Sequence, residues 1–198
     1  MARPAKFDRE IVLQRAMRLF WERGYNATSM SDLIDAMDMR AGSIYSTFGS
    51  KQTLLLEVLD YYAEHGHDEI RSLLQKTASK REAFSKVFAC LIGEMTCEPR
   101  SKGCLLINML LELSNIDEQA GARVKEHLQS MKEIFKQALI AAEQSGEMRP
   151  GQNPEDSATF LIGTVYSLRV MGRAAVAKAD MEVLSDQAIN HVFGSKHG

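Results

Sequence analysis

The side chains with recognising or reactive chemistry fall in two parts of the chain. In the first, Arg40, Gly42, Ser43, Tyr45, Ser46, Thr47 and Lys51 lie within one short segment. Short hydroxyls on a helix suit a DNA major groove about 12 Å wide, where exposed side chains must be small or able to hydrogen-bond. Gly42 permits close backbone approach, and Tyr45 offers a hydroxyl for a phosphate. Lys51 stands at the start of a helix, where a cation opposes the macrodipole by roughly 0.3–1 kcal/mol. A phosphate at that point would reverse the sign.

The second part holds the cysteines, Cys90, Cys97 and Cys104. An odd number in apolar helical sequence argues against a secreted disulfide framework. Cys104 follows Pro99-Arg100-Ser101-Lys102-Gly103 and opens a helix, so two cations and a helix N-terminus favour the thiolate. Free cysteines are also among the most buried and inert side chains, and the sequence leaves both readings open. Cys90 and Cys97 are expected in the core. Five histidines are present. His65 and His67, the nearest pair, are two apart on a helix and do not share a face. There is no HExxH, no CxxC and no nucleophile–base arrangement, so no enzyme, metal or cofactor is expected.

The elements that position these groups are helical throughout, in an all-α chain of about nine helices. A first helix over 8–23 carries Leu13, Ala16, Met17 and Phe20 inward, and Gly24 ends it. A second presents Met30, Leu33, Ile34 and Met37, started by a Ser29/Asp32 capping box. After a break at 38–40, a third helix turns Ala41, Ile44 and Phe48 inward and Ser43, Ser46 and Thr47 outward. Two short helices joined by a tight turn are a helix-turn-helix. Ser50 caps a long fourth helix over 51–76. Breaks are expected at 97–103, 115–117 and 146–152. A seventh helix faces inward with Val124, Leu128, Met131, Phe135, Ala138 and Ala142. Asn153, Pro154 and Glu155 open an eighth helix, and a ninth covers 180–192. A head over residues 1–50 and a body over 51–198 are expected.

Across 198 residues, 45% hydrophobic and 25% charged, the chain can bury a real core. The net charge of −2 names no partner, but residues 1–53 carry a surplus of two cations. The start lacks the apolar core of a signal peptide, and the most apolar run, 104–111, is too short to span a bilayer. A cytoplasmic, soluble protein is expected. The eighth helix is apolar nearly all round, so it needs cover on both sides. Pairing of helices eight and nine with their copies would supply it. Leu161, Gly163, Val165, Leu168, Gly172, Leu184 and Val192 are the expected interface, with the glycines allowing close approach. Polar tips on apolar faces mark a ligand pocket: Tyr62, His65, Asn108 and Tyr166, walled by Met95, Met109, Met131 and Phe135. An amide inside the apolar run around Asn108 needs a partner.

The stretches Gly24-Tyr25-Asn26-Ala27-Thr28-Ser29-Met30 and Gly42-Ser43-Ile44-Tyr45-Ser46-Thr47-Phe48-Gly49-Ser50-Lys51 resemble the DNA-binding head of the tetracycline-repressor (TetR) family. The resemblance implies a homodimeric, ligand-responsive transcription regulator, usually a repressor, on a palindromic double-stranded operator. By position it makes Ser29, Gly42, Ser43, Tyr45, Ser46, Thr47 and Lys51 DNA contacts. The chain departs from the family at Asp38, where glycine is common, so a left-handed backbone is expected there. Arg40 and Ala41 replace a Ser-Lys pair, and Arg40 is expected on a guanine or a phosphate. The run Lys102-Gly103-Cys104-Leu105-Leu106-Ile107-Asn108 resembles a subgroup in which some members sense electrophiles or oxidants through such a cysteine. A small hydrophobic or electrophilic effector is therefore expected. The rival readings are a cysteine-independent, noncovalent sensor of drugs or metabolites, and a helical dimer module that binds no DNA.

Overall fold

The computed structural model describes residues 7–96 and 103–195. Among these it holds nine helices and no strand: α1 (Arg9–Arg23), α2 (Met30–Met37), α3 (Ala41–Phe48), α4 (Lys51–Lys76), α5 (Lys80–Thr96), α6 (Leu105–Leu113), α7 (Glu118–Gln144), α8 (Pro154–Arg173) and α9 (Lys178–Phe193). Most of the expected break at 97–103, with Cys97, lies outside the described residues. The chain forms two compact units: Met1–Glu64 with Leu105–Lys125, and His65–Cys104 with Glu126–Gly198.

In the first unit, local sequence chemistry sets the helix ends. The Asp8 carboxylate accepts from the Glu10 and Ile11 amides at the start of α1. In the second unit Asn153 does the same for α8, accepting from the Asp156 amide at 2.8 Å, with Pro154 following. The Ser50 hydroxyl takes the Thr53 amide at 3.1 Å and caps α4. Val12, Leu13, Ala16 and Phe20 of α1 are buried, as are Leu33 and Met37 of α2, Ile44 and Phe48 of α3, and Leu54, Leu55, Val58 and Leu59 of α4. Burial of each large side chain contributes roughly 1.5–3 kcal/mol, and this core fixes the orientation of α3. Met17, Met30 and Ile34 are only half-buried. Ala41, expected inward, is exposed, because at the first helical position it precedes the packed turn.

The second unit is built on Phe84, Phe88, Leu91 and Met95 of α5, Phe135 and Leu139 of α7, Leu161 and Leu168 of α8, and Ile189 and Val192 of α9. Phe84 meets Phe135 edge-on, with ring centroids 5.1 Å apart. This core corrects the expected dimer interface. Leu161, Leu168 and Val192 are fully buried inside their own protomer. Gly172 is buried against Met95, whose sulfur would lie 2.6 Å from a Cβ, so its own chain requires the glycine. Val165 and Leu184 are half-buried against the same core, and only Gly163 is exposed. The apolar perimeter of α8 has a different division: one side is core, and Phe160 and Val170 are exposed on the other. Cys90 is also displaced from expectation. It is half-buried, with its sulfur 3.8 Å from Glu69 and 3.9 Å from Glu94. Burial and those carboxylates push its thiol pKa up, which disfavours the thiolate.

His67 is 7% exposed, and its Nε2 has no hydrogen-bond partner among the described residues. Burial lowers its pKa from 6.5, followed by the His127 ring, whose centroid is 6.0 Å away, and by Arg71; the Asp68 charge acts the other way. A histidine whose folded-state pKa is depressed favours the neutral ring. Its contribution is therefore complete above pH 6.5 and declines as pH falls from there toward the folded-state value. The thermal midpoint is expected to fall more in wild type than in His67→Met between pH about 7.5 and about 5.5. Equal pH slopes by circular dichroism would refute this.

Candidate nucleic-acid interface

The helix-turn-helix is set by two local devices. The Ser29 hydroxyl accepts the Asp32 amide at 3.1 Å, while Asp32 accepts the Ser29 amide at 2.8 Å, completing the capping box. These bonds from Ser29, then Arg23 at 3.0 Å, hold the Asp32 carboxyl below its usual pKa. At the turn, Asp38 adopts φ 53° and ψ 46°, the left-handed conformation expected where glycine is common. The Asp38 and Met39 amides reach back to Asp35 and Ile34, closing α2 before Arg40 leads into α3.

α3 is thus held by Ile44 and Phe48 and shows its other side to solvent. Tyr45 is 51% exposed, so its phenol is available to a ligand. Arg40, Gly42 and Ser46 are exposed, and Ser43 and Thr47 half-exposed. The Ser46 hydroxyl donates to the Ser43 carbonyl at 3.0 Å. Among the described residues a Cβ on Gly42 would meet nothing within 4 Å, so none of them requires glycine there. Ser29 is exposed, with its hydroxyl engaged by the capping box.

Lys51 differs from expectation. Its ammonium donates to the carbonyls of Tyr25 at 3.0 Å and Thr28 at 2.9 Å, and lies 4.1 Å from the centre of the Tyr25 ring. The cation that looked misplaced at a helix start is a staple on the α1–α2 turn. An ammonium carries a further N–H beyond these two, so a phosphate contact is compatible with the staple.

The expected pocket residues are divided between the units. In the first, Tyr62 meets Trp21 edge-on at 5.2 Å, Asn108 is half-buried and Met109 buried. In the second, Met95 and Phe135 belong to the core, Met131 and Tyr166 pack against it, and His65 is exposed. Cys104 is half-buried just before α6. Burial raises the Tyr166 pKa, and a negative charge on Cys104 would raise it further. The flanking Arg100 and Lys102 lie outside the described residues. Sequence reasoning missed Glu112, whose carboxylate accepts the amides of Tyr25 and Asn26 from 87 and 86 residues away. No local pattern signals such a bond.

Comparison with known proteins agrees with this geometry. Residues 12–58 match the family described as bacterial regulatory proteins, tetR family. Residues 82–187 match the tetracyclin repressor-like C-terminal domain. The HTH-type transcriptional regulator YezE of Bacillus subtilis (strain 168) is 28% identical over 188 residues, covering 94% of this chain and 95% of that one. The HTH-type transcriptional repressor ComR of Escherichia coli (strain K12) is 29% identical over 172 residues, 86% of this chain and 82% of that one. Among solved structures, a cysteine mutant of the TetR family regulator CifR, complexed with a 26bp double-strand operator, superposes with a TM-score of 0.86. Its identity is 26%, covering 96% of this chain and 100% of that one. Reduced E. coli NemR, at 18% identity and a TM-score of 0.87, shares the fold over 95% of this chain and 98% of that one. The chain belongs to the tetR family and is a DNA-binding transcription regulator. No helix among the described residues is long and apolar enough to cross a membrane.

Proposed function

We propose that this protein is a cytoplasmic repressor that acts by binding rather than catalysis, closing on a palindromic operator as a homodimer. Residues 1–50 contact DNA, and residues 51–198 dimerise and receive an effector. Each α3 enters a major groove, with half-sites about 34 Å apart. The observation that carries this reading is the solvent face of α3: Arg40, Gly42, Ser43, Tyr45, Ser46 and Thr47 on one short, rigidly backed helix. Lys51 and the α2 start at Ser29 would approach phosphates.

Dimerisation is assigned to the outer side of α8 and α9, at Phe160, Gly163, Ser167, Val170 and Val183, all exposed. Spacings of three and four place the α8 members on one face. Among the described residues a Cβ at Gly163 would meet nothing within 4 Å, which leaves its close-approach role to a partner.

The effector is a small hydrophobic or electrophilic molecule, and Cys104 is the reacting thiol. The half-exposure of Cys104 and the cysteine substitutions in the DNA-bound CifR structures support this reading. Effector binding shifts α4 and so respaces the heads, with a coupling of about 1–3 kcal/mol. A duplex selected by the wild type from a random library should bind with steep salt dependence. N-ethylmaleimide should release it from wild type but not from Cys104→Ser. Release from that variant by N-ethylmaleimide would reject Cys104 as the switching thiol, and no release from the wild type would favour a noncovalent sensor. Failure to select any duplex would reject operator binding.

A further inference from the structure

The turn between α1 and α2 is held from both sides. Its carbonyls at Tyr25 and Thr28 are taken by Lys51 at the start of α4. Its amides are taken by Glu112 near the C-terminal end of α6: Oε2 accepts from Tyr25 at 3.1 Å and Oε1 from Asn26 at 2.7 Å. Charge-assisted bonds to two adjacent amides fix a carboxylate in both distance and direction. Gly24 fits this contact in two ways. Its φ is +82°, and a Cβ there would lie 2.8 Å from the Glu112 carboxylate. A second tie runs parallel, from the Gln52 amide to Asp117 at 2.8 Å; Asp117 also caps α7 through the Ala120 amide.

We infer that Glu112 is a positioning residue for operator binding, through which the end of α6 holds the α1–α2 turn and so sets the pitch of the helix-turn-helix. The inference rests on the DNA-binding reading of α3. A displacement along α6 reaches the head through two backbone bonds rather than through deformable side-chain packing, and α2 and α3 follow the turn they grow from. Glu112 touches no base or phosphate in this role. Its effect is on the pose of α3.

The test uses the full chain and the duplex selected by the wild type. Glu112→Ala is expected to weaken binding about tenfold, the size of one charge-assisted hydrogen bond, and to speed amide exchange at Tyr25 and Asn26 with helicity unchanged. Glu112→Gln retains one acceptor oxygen and should recover part of both. Gly24→Ala should reproduce the loss, and the double variant should be no worse than either single one, since both remove the same contact. Wild-type affinity in Glu112→Ala, full additivity with Gly24→Ala, or equal loss of helicity in the Ala and Gln variants would each overturn the proposal. Should the wild type select no duplex, the DNA-binding reading fails, while amide exchange at Tyr25 and Asn26 still reports on the carboxylate contact.

Discussion

Phe160→Asp combined with Val170→Asp is expected to yield a folded monomer whose operator affinity is lower by roughly 10²–10⁴, the usual value of linking two binding modules. Both side chains are exposed in the protomer, at 44% and 56%, so neither substitution opens a cavity or buries a charge within one chain. In a dimer they would place four carboxylates in a desolvated seam, which is strongly unfavourable without partners. Sedimentation should show a monomer, with circular dichroism unchanged. A persistent dimer would move the interface elsewhere on the second unit.

Tyr45→Ala with Arg40→Ala should weaken operator binding by about a hundredfold, two contacts of roughly 1–2 kcal/mol each. The phenol ring is exposed and Arg40 makes no side-chain cap bond to α3, so the thermal midpoint should hardly move. Removal of a phosphate-contacting guanidinium should also lower the salt slope by about one. Unaltered affinity and slope would remove α3 from the interface. A Lys51→Ala variant would be a poorer probe, because its staple on the α1–α2 turn ties head stability to any change in affinity.

The sequence is most legible where the physics is local. The Ser29–Asp32 box, the left-handed Asp38, the Ser50 cap and the Asn153-Pro154 start are decided by neighbours within a turn of chain, and each is found as expected. Lys51 was legible as an anomaly but not in its resolution, because its acceptors are carbonyls 26 and 23 residues upstream. On α8, apolar residues on every side reveal that two layers cover the helix, but not which layer is the chain's own. Leu161 and Leu168 face the internal core, and Phe160 and Val170 the outside. The contact from Glu112 involves backbone amides of the turn, which carry no residue signature at all.

The edge-on contact between Trp21 and Tyr62 gives the molecule an optical gauge of its own. Trp21 is the sole tryptophan, and it sits on α1 against the middle of α4. Indole emission responds to the polarity and packing around the ring, so a change in how those two helices meet would register as a shift in colour or intensity, with no dye attached.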